Sequence, residues 1–186
     1  MKRIERDFIT LFNCLWYDDF PVVEGNYTNA ADWTIHVGHT IKKCAKLLGA
    51  RAGFEQGGRT DAVLKFPDGK ILSNVEWEWI EAHKDAVGEI EKLLGNNEST
   101  VFCTFISYTS EKSLASTIEK AASLWRLAAR PLIFFVVTFE MSSGNRWFRE
   151  LKTYVFEDGS HRLYRSQLAL PWEFVPSEYV ELVDGE

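Results

Sequence analysis

Cysteine is scarce: Cys14, Cys44 and Cys103 are the whole complement. Three thiols at wide spacings supply neither an even disulfide framework nor a zinc-type ligand set, so reduced core cysteines in a cytoplasmic protein are the expectation. Long apolar runs are also missing. The longest, PLIFFVVTF, is nine residues, far short of the roughly 20 that a helix needs to span a bilayer. The opening MKRIERDFITLFNC has early basic residues, but Glu5 and Asp7 interrupt it and no apolar run with a small-residue cleavage site follows, so it does not read as an export signal. No tract is rich in Pro, Gly or Ser, and there is no repeat and no low-complexity segment. One domain over 1–186 is therefore expected, with an N-terminal helix (3–17) and an acidic tail (171–186) as appendages. Excess positive charge is absent too. A formal net charge of −6 argues against coating nucleic acid through bulk charge, while leaving room for a local basic groove.

What is abundant is apolar surface. Hydrophobic residues make up 46% of the chain and aromatics 14%, with seven Trp and thirteen Phe, enough to fill one sizeable core. Residues 3–17 form an amphipathic helix through Ile4, Phe8, Leu11, Phe12 and Leu15, and a second helix runs from about Ala31 to Leu48 on Trp33, Val37, Ile41, Cys44 and Leu48. TDAVLKF and ILSNVEWEW flank PDGK and read as a β-hairpin turning at Asp68-Gly69. A helix from about Glu81 to Leu94 presents His83, Val87, Ile90 and Leu94 on one face. TVFCTFISY is the next strand. Ser110 is placed to cap a helix carrying Leu114, Ile118, Ala121, Trp125 and Ala128. LIFFVVTF does not alternate, as expected of a strand covered on both faces. SSGNRWFRE reads as a polar loop, and TYVF and HRLYR flank EDGS as a C-terminal hairpin. The order predicts an α/β domain: a mixed β-sheet flanked by helices, antiparallel first, with helical crossovers feeding the later strands.

The segment NVEWEW concentrates the chemistry. On a strand, Val75, Trp77 and Trp79 share one face while Asn74, Glu76 and Glu78 share the other. The hairpin carries Glu76 and Glu78 back beside Asp61, at the start of the preceding strand, so three carboxylates are expected to converge at one end. Carboxylates that close repel unless a cation sits among them, and a hard, oxygen-preferring divalent ion suits these donors. The plain alternative is a strand whose outer face is solvated. Gly57-Gly58, just upstream, would let a substrate backbone approach.

Thr60-Asp61 at a strand start, a turn, then VEWEW followed by a helix and VFCTFISY resembles the PD-(D/E)XK nuclease superfamily, with its restriction-endonuclease-like fold, over roughly residues 30 to 140. Asp61 matches the first acidic position and Glu76 the second; Thr60 stands at the Pro, and Glu78 at the usual Lys. The resemblance implies a Mg²⁺-dependent phosphodiesterase, an endodeoxyribonuclease acting on DNA. Mn²⁺ would be a substitute, with metal at Asp61, Glu76, the Trp77 backbone carbonyl and Glu78. Some restriction enzymes of the superfamily carry Glu where Glu78 stands, as a further ligand or a base. The missing cation would come from elsewhere: Lys65 shares the strand parity of Asp61, and His83 and Lys84 lie in the first turn of the following helix. Loss of the Lys also fits an inactive member that binds nucleic acid or a protein partner. Assembly as a homodimer or within a larger complex is open.

Between Arg146 and Arg165 the chain carries five basic and three acidic side chains, whereas 171–186 has five acidic and no basic ones. Arg146, Arg149, Lys152, Arg162 and Arg165, with Trp147 for stacking, are the candidate nucleic-acid contacts; an ordinary solvated hairpin reads equally well. His36 and His39 are three apart on a helix and lack a third ligand, so they read as surface residues. Asp32 reads as a helix cap. GGRTD lacks the order of a phosphate-binding loop.

Overall fold

The computed structural model describes residues 1–23, 29–56, 60–80, 87–142 and 145–173. Four α-helices lie among them: α1 (Arg3–Leu15), α2 (Ala30–Leu47), α3 (Val87–Gly95) and α4 (Leu114–Trp125). Seven strands make one sheet in chain order: β1 (Arg51–Gln56), β2 (Thr60–Lys65), β3 (Ile71–Glu78), β4 (Thr100–Ser110), β5 (Leu132–Ser142), β6 (Asn145–Glu157) and β7 (Ser160–Leu168). The meanders β1–β2–β3 and β5–β6–β7 are antiparallel, while β3–β4 and β4–β5 are parallel. Parallel neighbours need a crossover, and α3 and α4 supply the two. No helix among the described residues is long and apolar enough to cross a membrane.

The sheet separates two cores. Phe102, Ile106, Tyr108, Ile133, Phe135 and Val137 pack toward α1 and α2. Cys103, Phe105, Leu132, Phe134 and Val136, the intervening residues, pack toward α3 and α4. Leu132 to Val137 are all buried, so the unbroken apolar run is a strand covered on both sides.

α1 belongs to the first core and is no appendage. Its buried stripe, Glu5, Phe8, Ile9, Phe12 and Asn13, continues to the buried Trp16, a rotation from the face expected through Leu11 and Leu15. Asn13 tolerates burial because its amide donates to Ile9 O at 2.9 Å and Thr153 Oγ1 at 3.1 Å. α2 begins one residue before its expected start, because Asn29 is the cap: Asp32 N donates to Asn29 Oδ1 at 3.0 Å, so Asp32 sits in the first turn. Ser110 does not cap α4, whose preceding residue is Ser113. A 3₁₀ turn, Glu111–Ser113, intervenes before α4, and the Ser110 hydroxyl meets Ser113 Oγ at 3.0 Å.

Three segments depart from the sequence expectation. β1 was not foreseen: RAGFEQ has a central Gly and a single large apolar residue, yet it pairs with β2 from Arg51 opposite Lys65 to Gln56 opposite Thr60. β6 starts at Asn145, inside the stretch read as a loop, and β6 and β7 extend the main sheet, with Glu157 opposite Ser160. Cys14 is exposed, whereas Cys44 and Cys103 are buried. The Asp68-Gly69 turn is present: Phe66 N donates to Lys70 O at 2.9 Å, Lys70 N to Asp68 Oδ1 at 2.9 Å, and Gly69 takes φ +92, where a side chain would be strained.

His36 is likewise a core residue, 3% exposed, against Trp16 and Phe20. Burial pulls its pKa from 6.5 down to about 4, although hydrogen bonds to the backbone of Trp16 and Asp19 oppose the shift. The unfolded chain takes up this proton below about pH 6.5, so the stability contributed by neutral His36 is present above that pH and lost as pH falls toward 4. About 3 kcal/mol is at stake. Urea midpoints measured across this window should fall steeply for the wild type and less for His36→Leu; parallel slopes would refute the assignment.

Candidate metal centre

The register that pairs Ala62 with Val75 and Val63 with Asn74 carries Asp61 to Glu76. Alternation puts both on the face toward α3 and α4, since Glu76 lies beside Phe105 in the β3–β4 register and Phe105 belongs to that core. Two further contacts fix them. Trp77 N donates to Asp61 Oδ2 at 2.8 Å, and Lys92 Nζ of α3 approaches Glu76 Oε2 at 3.5 Å. Lys92 is also paired with Glu89, one turn before it on α3, at 2.5 Å.

Glu76 is 1% exposed. Burial, and then the negative charge of Asp61, raise its pKa from 4.5 to about 8; Lys92 opposes and Glu89 reinforces the rise. Asp61 is also raised, chiefly by burial, although hydrogen bonds from Trp77 N–H and with Glu76 counter it. Two carboxyl groups close enough to share a hydrogen bond cannot both ionise cheaply in a dry site. A cation more highly charged than one lysine would relieve both.

Of the expected ligands, the structure brings together Asp61 and Glu76. Glu78 shares their face but is partly exposed, and its Oε1 accepts from Ile80 N–H at 2.9 Å. Among the described residues no set of three His, Cys, Asp or Glu side chains is disposed to enclose a metal. The donors present still fit Mg²⁺ by chemical type, because that ion is commonly held by one or two carboxylates, with water and substrate phosphate completing its shell. His83 and Lys84 lie outside the described residues. Lys65 is at the far end of β2, and the cation beside Glu76 is Lys92. Glu89 and Lys92 were missed in the sequence. The usable signal was their i, i+3 spacing flanking Ile90 and Leu93, the buried residues of a crossover helix that must lie over β3 and β4.

The basic segment expected to touch nucleic acid is dispersed. Arg146 donates to Trp79 O at 2.9 Å, and its guanidinium lies 4.8 Å from the Trp79 ring, 5.3 Å from Tyr108 and 4.9 Å from Phe139, on the α1/α2 side of the sheet. Trp147 is partly buried against that same core. Arg149 pairs with Glu140 at 2.7 Å, and Lys152 with Glu150. Arg162 lies near the Tyr164 ring and Arg165 Nε donates to Gln167 at 3.0 Å. Opposite Val155 and Thr153, both arginines face the α1/α2 side of β7. That strand is four away from β3, roughly 19 Å at sheet spacing. These six residues do not form one surface with Asp61 and Glu76.

No family model matches the chain, and no curated protein is similar to it. Among solved structures it is similar to SfsA of Pyrococcus furiosus in complex with Ca²⁺, at 13% identity over 60% of this chain and 61% of that one, with a TM-score of 0.32. It is also similar to the YaeQ protein of Pseudomonas syringae, at 17% identity over 63% and 67% of the two chains and a TM-score of 0.27. A third likeness is to a carbon-nitrogen hydrolase of Helicobacter pylori G27, at 10% identity over 97% and 88% and a TM-score of 0.42. The match thus spans about three fifths of SfsA and two thirds of YaeQ. At these scores the three likenesses carry no inference about activity.

Proposed function

We propose that this chain is a metal-dependent phosphodiesterase of the PD-(D/E)XK type, with a restriction-endonuclease-like core formed by α2, β1–β3, α3 and β4, and with DNA as its substrate. The observation that carries the reading is the pair Asp61 and Glu76: opposed across β2 and β3, largely withdrawn from water, and both raised in pKa by burial. Asp61 and Glu76 would hold Mg²⁺ or Mn²⁺. Bound there, the ion would supply positive charge toward a phosphate and make a coordinated water more acidic.

The chain's own residues set the rest. Trp77 N–H fixes one oxygen of Asp61, leaving the other directed by the strand. Lys92 supplies the fixed positive charge that Glu78, at the motif's Lys position, does not, and it reaches the site from α3 rather than β3. Glu89 holds the ammonium in place. Glu78, partly exposed and oriented by Ile80 N–H, is the candidate proton acceptor. Trp77 and Trp79 pack against the first core, anchoring the strand that carries both glutamates.

A second reading, an inactive member of the same fold that binds nucleic acid or a protein partner, draws on the absence of a three-ligand cage among the described residues and on Lys92 already standing 3.5 Å from Glu76. Metal addition separates the two. Saturating Mn²⁺ at about 100 times its Kd should stabilise the wild type by about 2.7 kcal/mol, which raises Tm by roughly 5–10 °C in a domain of this size. Glu76→Gln should not respond. A metal response without hydrolysis of duplex DNA, single-stranded DNA or RNA would favour the inactive binder, and no response would end the metal proposal.

A further inference from the structure

We infer that the outer face of the β1–β2 hairpin is a binding groove for the phosphodiester backbone of a nucleic acid strand leading to Asp61 and Glu76; this rests on the phosphodiesterase reading for its direction but not for its existence. Arg51 and Lys65 are direct cross-strand partners. Like charges in that relation destabilise a sheet, and among the described residues neither makes an ion pair that would offset the repulsion. Both stay exposed beside a cavity of about 570 Å³ whose lining includes Gly53, Val63 and Phe66 and, among the described residues, no acidic one. In a chain of net charge −6, two adjacent unpaired cations over an open depression mark a place kept for an anion.

The geometry joins this depression to the carboxylate pair. Ala62 and Leu64 are buried in the α1/α2 core, so Asp61, Val63 and Lys65 point to the opposite face. Across β1 the registers Arg51–Lys65 and Gly53–Val63 put Arg51 and Gly53 on that face too. α3 and α4 pack on β3 and β4. Gly53 presents no side chain there, which lets a backbone approach the strand. Four residues separate Asp61 from Lys65, about 13 Å along the strand, or about four nucleotides at 3.4 Å per step. A strand whose scissile phosphate sits at Asp61 and Glu76 would lay a phosphate about four nucleotides away between Arg51 and Lys65, with the half-buried Phe66 at the end of the groove.

Fluorescence anisotropy of a fluorescein-labelled oligodeoxynucleotide, single-stranded and duplex, with an RNA of the same sequence, measures this in EDTA, where metal-dependent cleavage is silent. The wild type should bind, and Arg51→Glu/Lys65→Glu should weaken binding roughly tenfold or more, with a slope of log K on log salt shallower by about 1.4 to 1.8. The neutral pair Arg51→Gln/Lys65→Gln should also bind more weakly while its Tm stays at or above that of the wild type, which excludes unfolding as the cause. Unchanged affinity in both double variants, or no binding by the wild type, overturns the groove. Hydrolysis of bis(p-nitrophenyl) phosphate with Mn²⁺, a diester too small to need the groove, reports separately on the carboxylates: it should survive Arg51→Gln/Lys65→Gln and be lost in Glu76→Gln. Groove-dependent binding without any such hydrolysis would leave the groove standing and remove the phosphodiesterase reading.

Discussion

Glu76→Gln is expected to lower metal-dependent phosphodiester hydrolysis on the order of a thousandfold while making the metal-free protein more stable at alkaline pH. The two effects have one cause. A glutamine keeps the shape of Glu76 but cannot ionise, so it removes the proposed metal donor and removes the repulsion with Asp61 together. On the proposed reading, the catalytic loss would follow from losing one of the two carboxylates that would hold the ion, a contribution of several kcal/mol. The stability effect follows from the proton balance. The folded-state pKa of Glu76 lies near 8 against 4.5 ordinarily, so the folded protein holds a proton that the unfolded chain has already released. Stability contributed by protonated Glu76 is therefore present below about pH 4.5 and lost as pH rises to about 8. The decline amounts to a few kcal/mol, reduced by coupling to Asp61 and Lys92. Denaturation in EDTA across this range should show the wild type weakening and the variant nearly level, while initial rates with Mn²⁺ show the loss of turnover. A variant that loses activity but keeps the wild-type pH slope would mean that Glu76 is not the buried acid this site requires.

The pair Asp61 and Glu76 was legible in the sequence because a short turn leaves little freedom; the structure closes it over residues 67–69, with Phe66 N donating to Lys70 O, and the shift between Leu64 and Lys65 restores the register that counting gives. Once Asp68-Gly69 is the turn, the strand partners follow by counting, and the alternation of NVEWEW decides the face. The burial of LIFFVVTF on both sides was legible for a similar reason: a run without polar interruption has no solvent face. β1 was not, since an edge strand with Gly53 at its centre and polar residues at both ends lacks the alternation and β-branched residues that signal pairing. Lys92 was hidden by a different limit. Its distance to Glu76 depends on how α3 lies across β3 and β4, and helix periodicity names the buried face without fixing which flanking charge meets which strand. The same limit misplaced the basic residues of β6 and β7. Their clustering along the chain was real, but sheet alternation puts Lys152, opposite Val136, on the other face from Arg146, Arg162 and Arg165, and the aromatic rings around Arg146 hold it away from solvent. Charge counted along a segment locates a surface only when the strand's facing is known.

Phe12→Ala should be among the most destabilising single changes in the chain, costing about 3–5 kcal/mol. Phe12 is fully buried, and its ring stacks on Phe135 of β5 with centroids 3.8 Å apart, with Trp16 at 6.0 Å and Phe8 at 6.5 Å. Truncation would leave a cavity bounded by α1 and the central strands, and neighbouring elements hold that cavity open. On one side, Asn13 is tied to Thr153 of β6; on the other, Trp16 Nε1 donates to Ala169 O at 2.7 Å. α1 thus cannot move inward without breaking bonds to β6 and to the segment after β7, so the lost packing is not recovered by collapse. At roughly 2–4 °C per kcal/mol, Tm should fall by roughly 6–20 °C. An N-terminal helix merely resting on the domain would give a change within about 0.5 kcal/mol, so calorimetry decides between the two descriptions of α1. A double-mutant cycle with Phe135→Leu sharpens the test: the stacked pair should show a coupling of about 0.5–1.5 kcal/mol, whereas simple additivity would mean that the two rings contribute only their separate burial.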